Sequence, residues 1–144
     1  DDWSFKHPKP NDFIRSAEKV SGLELDWYLL DWAQSTMTID YSVNSLYGVD
    51  NKTRIVLKRI GQMGMPIDLR IKLKSGETLD YNIPMTKMRG SKPLQSSTLL
   101  KSWSWAKPYY EVWLDIDSKN ISKITIDPKN EMADINRNNN YLAL

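Results

Sequence analysis

Between residues 67 and 83 the hydrophobic pattern leaves the chain one local structure. Ile67, Leu69, Ile71 and Leu73 alternate with Asp68, Arg70, Lys72 and Lys74; beyond Ser75-Gly76, Leu79, Tyr81 and Ile83 alternate with Thr78, Asp80 and Asn82. Successive side chains of a strand point to opposite faces, so the pattern specifies a β-hairpin with one wet and one dry face, turning at Ser75-Gly76. A lone hairpin is marginal in water and needs more strands over its dry face. The rest of the chain supplies them. Met37, Ile39, Tyr41 and Val43 alternate with Thr36, Thr38, Asp40 and Ser42 as a half-buried strand, and Gly48-Val49-Asp50-Asn51 forms a turn. Arg54 to Ile60 is rich in β-branched residues and ends at the Gly61 to Pro66 break; Trp103, Trp105, Tyr109 to Leu114 and Ile121 to Ile126 give further short strands. Residues 84–101 are polar and contain Pro84, Gly90 and Pro93, which predicts a long connection of the kind that crosses from one sheet of a sandwich to the other.

The first third has a different period. Pro10 suits the first helical position, Asp12 the first turn and Gly22 the stop, while Phe13, Ile14, Ala17 and Val20 share one face opposite Arg15, Ser16, Glu18 and Lys19. Asp26 is then read as the cap of a shorter helix through Trp27, Tyr28, Leu29, Leu30 and Trp32, apolar on nearly every side and so expected to be buried all round. The fold class is therefore mainly β: an antiparallel β-sandwich preceded by a short N-terminal helical pair. The boundaries fall at 1–35 for the helices, 36–130 for the sandwich and 131–144 for a tail dominated by Asn and charge.

Composition removes several kinds of function. The 144 residues are 40% hydrophobic and 26% charged, which is globular, and the formal charge of +2 is spread along the chain without the basic stripe that nucleic acid requires. No apolar run approaches the ~18 residues that span a bilayer, and no leader pattern is visible. With no cysteine, disulfides and thiolate chemistry are excluded, but the compartment stays open. The single histidine, His7, in a loop-like His-Pro, cannot assemble a zinc site, and no G-x-S-x-G elbow exists for a Ser-His-Asp triad. The expectation is no catalytic residue, no metal ligand set and no cofactor in this chain. The start at Asp1-Asp2-Trp3, without methionine, is read as a cut from a longer protein.

Four constellations compete with plainer readings. Trp103, Trp105, Tyr109, Tyr110 and Trp113 could form a stacking platform for sugar rings, with Trp103 and Trp105 the candidate pair; their shared strand parity favours a core or domain-interface role. Asp134, Asn136 and Asn138 match the opening of a calcium loop, but Asn139 stands where Gly is needed and no bidentate Glu follows, which favours a polar turn held by Asx hydrogen bonds. Asp26, Asp31, Asp115 and Asp117 read as solvated charge rather than as a glycosidase pair. Asn51-Lys52-Thr53 and Asn120-Ile121-Ser122 match a glycosylation pattern too short to carry weight.

Three stretches carry a resemblance that spans nearly the whole chain. They are Trp3-x-Phe5-x-His7-Pro8-x-Pro10-x-Asp12-Phe13 running through Ser21-Gly22-x-x-Leu25-Asp26-Trp27 to Trp32; Gly64-Met65-Pro66-Ile67-Asp68 with Ile83-Pro84 and Met88-Arg89-Gly90; and Ile126-Asp127-Pro128 with Ala133-Asp134-x-Asn136-Arg137-x-Asn139. Together they resemble the C-terminal portion of zinc aminopeptidases of the aminopeptidase N family, gluzincin metallopeptidases, in a bacterial branch. The resemblance implies that residues 1–35 are the helical end of a truncated thermolysin-like catalytic domain, and that the sandwich packs beside that domain and supports it. The family's H-E-x-x-H helix, further Glu ligand, Gly-rich substrate motif and transition-state Tyr have no counterpart here, so no catalytic role passes to any residue and the zinc belongs to the parent. Phe13, Trp27 and Trp32 become candidates for the face that meets the catalytic domain of the same polypeptide, or that is buried in a dimer. A free-standing module holding carbohydrate or a peptide strand on surface Trp and Tyr side chains is the rival. Localisation is left open, a parent on the secreted or periplasmic side of the envelope being compatible.

Overall fold

A computed structural model describes residues 6–91 and 96–144; Trp3, Phe5 and Pro93 lie outside them. Helix α1 (Pro10–Ser21) starts with proline at its first position, and the Asp12 carboxylate accepts the Lys9 N–H at 2.8 Å. It stops at Gly22, whose φ of +69° is the left-handed conformation a helix end calls for. Helix α2 (Asp26–Gln34) is capped by Leu25, so Asp26 is its first residue and not its cap. Here the Glu18 carboxylate reaches over from α1 to accept the Leu25 N–H at 2.8 Å, leaving Asp26 to sit in the first turn against the positive end of the helix dipole.

Eight strands follow among the described residues: β1 (Tyr41–Val49), β2 (Lys52–Arg59), β3 (Ile67–Leu73), β4 (Thr78–Ile83), β5 (Thr98–Leu99), β6 (Tyr109–Leu114), β7 (Ile121–Ile126) and β8 (Tyr141–Ala143). They form two sheets, ordered β1-β2-β6 and β5-β4-β3-β7-β8. The inner faces share one core: Tyr41, Ile55, Leu57 and Val112 from the first meet Leu69, Ile71, Ile83, Ile124 and Ile126 from the second. The molecule is thus mainly β, a two-sheet sandwich behind a helical pair. The hairpin at 67–83 forms with Ile67 opposite Ile83 and Gly76 at φ +93°. At the other hairpin, Asp50 and Asn51 both take positive φ, 47° and 63°, the two-residue turn whose twist suits paired strands.

Three expectations need correction. The sandwich is not wholly antiparallel: β5 runs parallel to β4, pairing Tyr81 with Thr98 and Asn82 with Leu99. A parallel pair needs a long crossover, and the connection after Pro84, with a short 3-10 turn at Thr86–Met88, provides it before the chain passes to β6 in the other sheet. Strand β1 starts at Tyr41 rather than at Thr36, and Asp40 and Ser42, assigned by alternation to the wet face, are buried. The cause lies in the third correction. Residues 131–144, read as a polar tail, close the five-stranded sheet through β8, and Met132, Asp134 and Asn140 are buried. Ile39 bridges Asp134, and the Asn139 amide donates to the Asp40 carboxylate at 2.9 Å, so this segment covers the face of β1 that alternation left to solvent.

On the outer face of the hairpin Arg70 and Asp80 are direct cross-strand partners, with Nε and Nη2 each 2.7 Å from a carboxylate oxygen. The guanidinium hydrogen bond holds the Asp80 carboxyl below its ordinary 3.8, so the pair stabilises the fold fully above that pH and the contribution is lost as pH falls through the lowered value. Asp80→Asn is expected to cost up to ~1 kcal/mol at neutral pH. Urea midpoints of the two proteins should converge in acid; a gap that persists there would assign the loss to something other than the ion pair.

Candidate functional site

The helical pair uses only part of its apolar surface on the sandwich. Trp27 is 9% exposed and packs on Met85 and Met88, with Leu23 and Met65 alongside; its indole N–H donates to the Glu24 carbonyl at 2.7 Å. From it an aromatic run leads outward. The Trp27 and Tyr28 rings meet edge to face at 5.7 Å, and Tyr28 and Trp32 lie 5.8 Å apart. Trp32 itself is 44% exposed, Leu30 is exposed, and on α1 Phe13 is 72% and Val20 90% exposed. The expectation that α2 is buried all round fails for this reason: its Trp27 side is covered and its Trp32 side is bare. Of the three interface candidates, Trp27 belongs to the fold's own packing, while Phe13 and Trp32 stand free to meet another surface.

Trp103 and Trp105 do not form a coplanar exposed pair. Trp103 is 5% exposed, edge to face with Tyr41 at 5.5 Å and 5.2 Å from the Tyr110 ring, and its indole N–H donates to the Lys107 carbonyl at 2.8 Å. Burial pushes the neighbouring Tyr41 hydroxyl up to about 12; that hydroxyl accepts the Met65 N–H at 2.8 Å. Trp105 falls in a turn instead of a strand, which breaks the parity that alternation assumed. It is 53% exposed and forms one wall of a cleft of about 370 Å³, also lined by Glu24, Asp26, Trp27, Thr86, Lys87 and Arg89. The Lys87 ammonium lies 4.8 Å over the Trp105 ring, and the Arg89 guanidinium pairs with Glu24 at 3.0 Å.

The calcium candidates do not converge on a common point facing a cation. Asp134 is buried and its two carboxylate oxygens accept the Asn136 N–H at 2.8 Å and the Tyr41 N–H at 2.9 Å, while Asn136 and Asn138 are exposed. The first of these bonds is an Asx turn, the plainer reading of the motif. The four acids considered as a glycosidase pair are likewise dispersed: Asp26 lines the cleft, Asp31 is buried on α2, Asp115 pairs with Lys52 at 2.7 Å and Asp117 accepts the Lys119 N–H.

One surface feature escaped sequence reasoning. On the outer face of β1-β2-β6, Tyr47, Arg54 and Trp113 stand in one cross-strand row, the guanidinium 5.6 Å from the Tyr47 ring and 5.9 Å from the Trp113 ring. Glu111 pairs with the same guanidinium, which holds its carboxyl below the usual range. The three residues are far apart in sequence and only strand register aligns them. The alternation of Arg54 with Ile55 was the one available hint that the arginine faces outward. No protein family, curated protein or solved structure matches the chain.

Proposed function

We propose that this chain is a non-catalytic sandwich segment of a zinc aminopeptidase, which supports a catalytic domain of the same polypeptide by docking it on the bare side of the helical pair. What supports the reading is the division of the aromatic run on α2: Trp27 anchors the helix to the sandwich, while Trp32, with Phe13 and Val20 of α1, offers apolar area to something else. Covering such side chains is favourable by about 1.5–3 kcal/mol each. The donor set of this chain, one histidine and no cysteine, does not fit a zinc site, so in this reading the metal and all the chemistry reside in the docked domain. The chain alone should show no peptidase activity with or without zinc.

The reading requires an H-E-x-x-H sequence encoded before Asp1, and a direct test mixes that domain with this chain. The two should copurify, and the double change Phe13→Ser with Trp32→Ser should weaken the complex about 10–100-fold. The chain's own melting temperature should barely move, because both side chains are exposed. Absence of a complex, or a complex indifferent to the double change, would sink the reading.

A further inference from the structure

We propose that the cleft walled by Trp105, with Trp27 also in its lining, binds a neutral, hydroxyl-rich sugar, at a site that does not include the exposed Phe13 and Trp32 side chains. The site is built from three parts of the chain that the fold brings together, Trp105 coming from the turn before β6. The α1–α2 connection supplies Glu24 and the first residue of α2, Asp26, and the turn after β4 supplies Thr86, Lys87 and Arg89. The Glu24 N–H donates to the Met88 carbonyl at 3.2 Å, which fixes one wall against the other. A volume of about 370 Å³ falls in the range of small-ligand sites.

Arg89 is held on the rim at a conformational cost. Its φ is +47°, a left-handed conformation that disfavours a side-chain-bearing residue by about 1–2 kcal/mol, although a glycine follows directly at position 90. Gly90 has its own steric reason to be glycine, since a Cβ there would come within 3.0 Å of Leu23. The exposed Arg89–Glu24 pair contributes little to folding and does not by itself explain why the strained position carries arginine. The left-handed φ is that of the residue ending the 3-10 turn Thr86–Met88, and it leaves the guanidinium beside the cleft.

The chemistry of the walls selects the ligand. Two acids and two bases face the cleft, so an anion meets Glu24 and Asp26 and a cation meets Lys87 and Arg89, each against like charge. A hydroxyl both donates and accepts, and a sugar needs acceptors and donors side by side, which these four groups and Thr86 provide. Hydroxyls also bond to the outer edges of the Arg89–Glu24 pair without breaking it, whereas the charged ends of a zwitterion compete with it. The half-exposed Trp105 ring gives the apolar C–H face of a sugar a flat surface once the Lys87 ammonium, which lies 4.8 Å over the ring, moves aside to donate to a sugar oxygen.

The test follows the backbone amide resonance of Thr86, which lines the cleft and is kept in every variant, by NMR while short gluco-, manno-, galacto- and xylo-oligosaccharides, an oligouronate and a zwitterionic dipeptide are each titrated into the intact chain. One neutral series should shift it with a Kd on the order of 1 mM. Trp105→Ala should weaken that binding at least ~10-fold, and Asp26→Asn and Lys87→Met about 3–10-fold each. All three positions are at least partly exposed, so the fold survives, and the double change at Phe13 and Trp32 should leave sugar binding unaltered. No shift with any neutral series at ~10 mM overturns the proposal. So does a tighter response to the uronate or dipeptide, or affinity unchanged by Trp105→Ala.

Discussion

Trp103→Ala should remove about 3–5 kcal/mol of folding stability, while the same change at Trp105, two positions along, should cost less than ~1 kcal/mol. The two residues look alike in the sequence and differ in what surrounds them. Trp103 sits in the core between Tyr41 and Tyr110, and its indole N–H is satisfied by the Lys107 carbonyl. It also bridges to Met85, and its own backbone N–H donates to the Pro84 carbonyl at 2.7 Å. Deleting the ring leaves a cavity where both sheets and the long connection meet, with no single neighbour able to collapse into it. For a domain whose whole stability is of order 5–15 kcal/mol, the loss should lower the urea midpoint by about a fifth or more. If Trp103→Ala unfolds at the wild-type midpoint, Trp103 does not sit at the centre of a core shared by the two sheets.

The contrast between these tryptophans shows what the sequence could and could not convey. The 67–83 hairpin was legible because its alternation holds along both strands and Ile67, Leu69, Ile71 and Ile83 are buried on one face, so register follows from parity, although Asn82 of the other face is buried as well. Helix α1 was legible because Pro10, Asp12 and Gly22 act locally, each through its own backbone. Parity failed where tertiary contacts take over. Trp105 turns away from the strand direction, and Asp40 is buried against a segment some ninety residues later in the chain. The exposed apolar side chains Phe13 and Trp32 were visible in the sequence, because the apolar residues of the two helices outnumber the positions one packing face can cover. The cleft was not, since Glu24, Arg89 and Trp105 are brought together by packing of the α1–α2 connection on the turn after β4, which no periodicity encodes.

The C-terminal segment supplies the second large effect, because its polar residues act as structure. Asp134→Ala should destabilise the chain by about 2–4 kcal/mol, more than an exposed acid on a tail would cost. Its carboxylate accepts from the Tyr41 N–H and the Asn136 N–H, and Asn140, with its amide nitrogen turned toward the carboxylate as the surrounding bonds require, donates to it at 3.2 Å. The same amide reaches the Tyr41 carbonyl at 2.6 Å. Removing the carboxylate strands the Tyr41 N–H in a buried place at the start of β1 and frees the end of the segment that carries β8. Asp134→Asn keeps one acceptor and should recover about half the loss. The calcium reading of this motif makes a different forecast. A bound ion would raise the melting temperature of the native chain in proportion to its occupancy. Here N–H groups point at the carboxylate from the sides where a cation would need oxygens, so millimolar calcium should leave the melting temperature unchanged. A rise that disappears in Asp134→Asn would mean that the Asx turn opens to take the ion, and that the polarity of this segment serves binding instead of closure of the sheet.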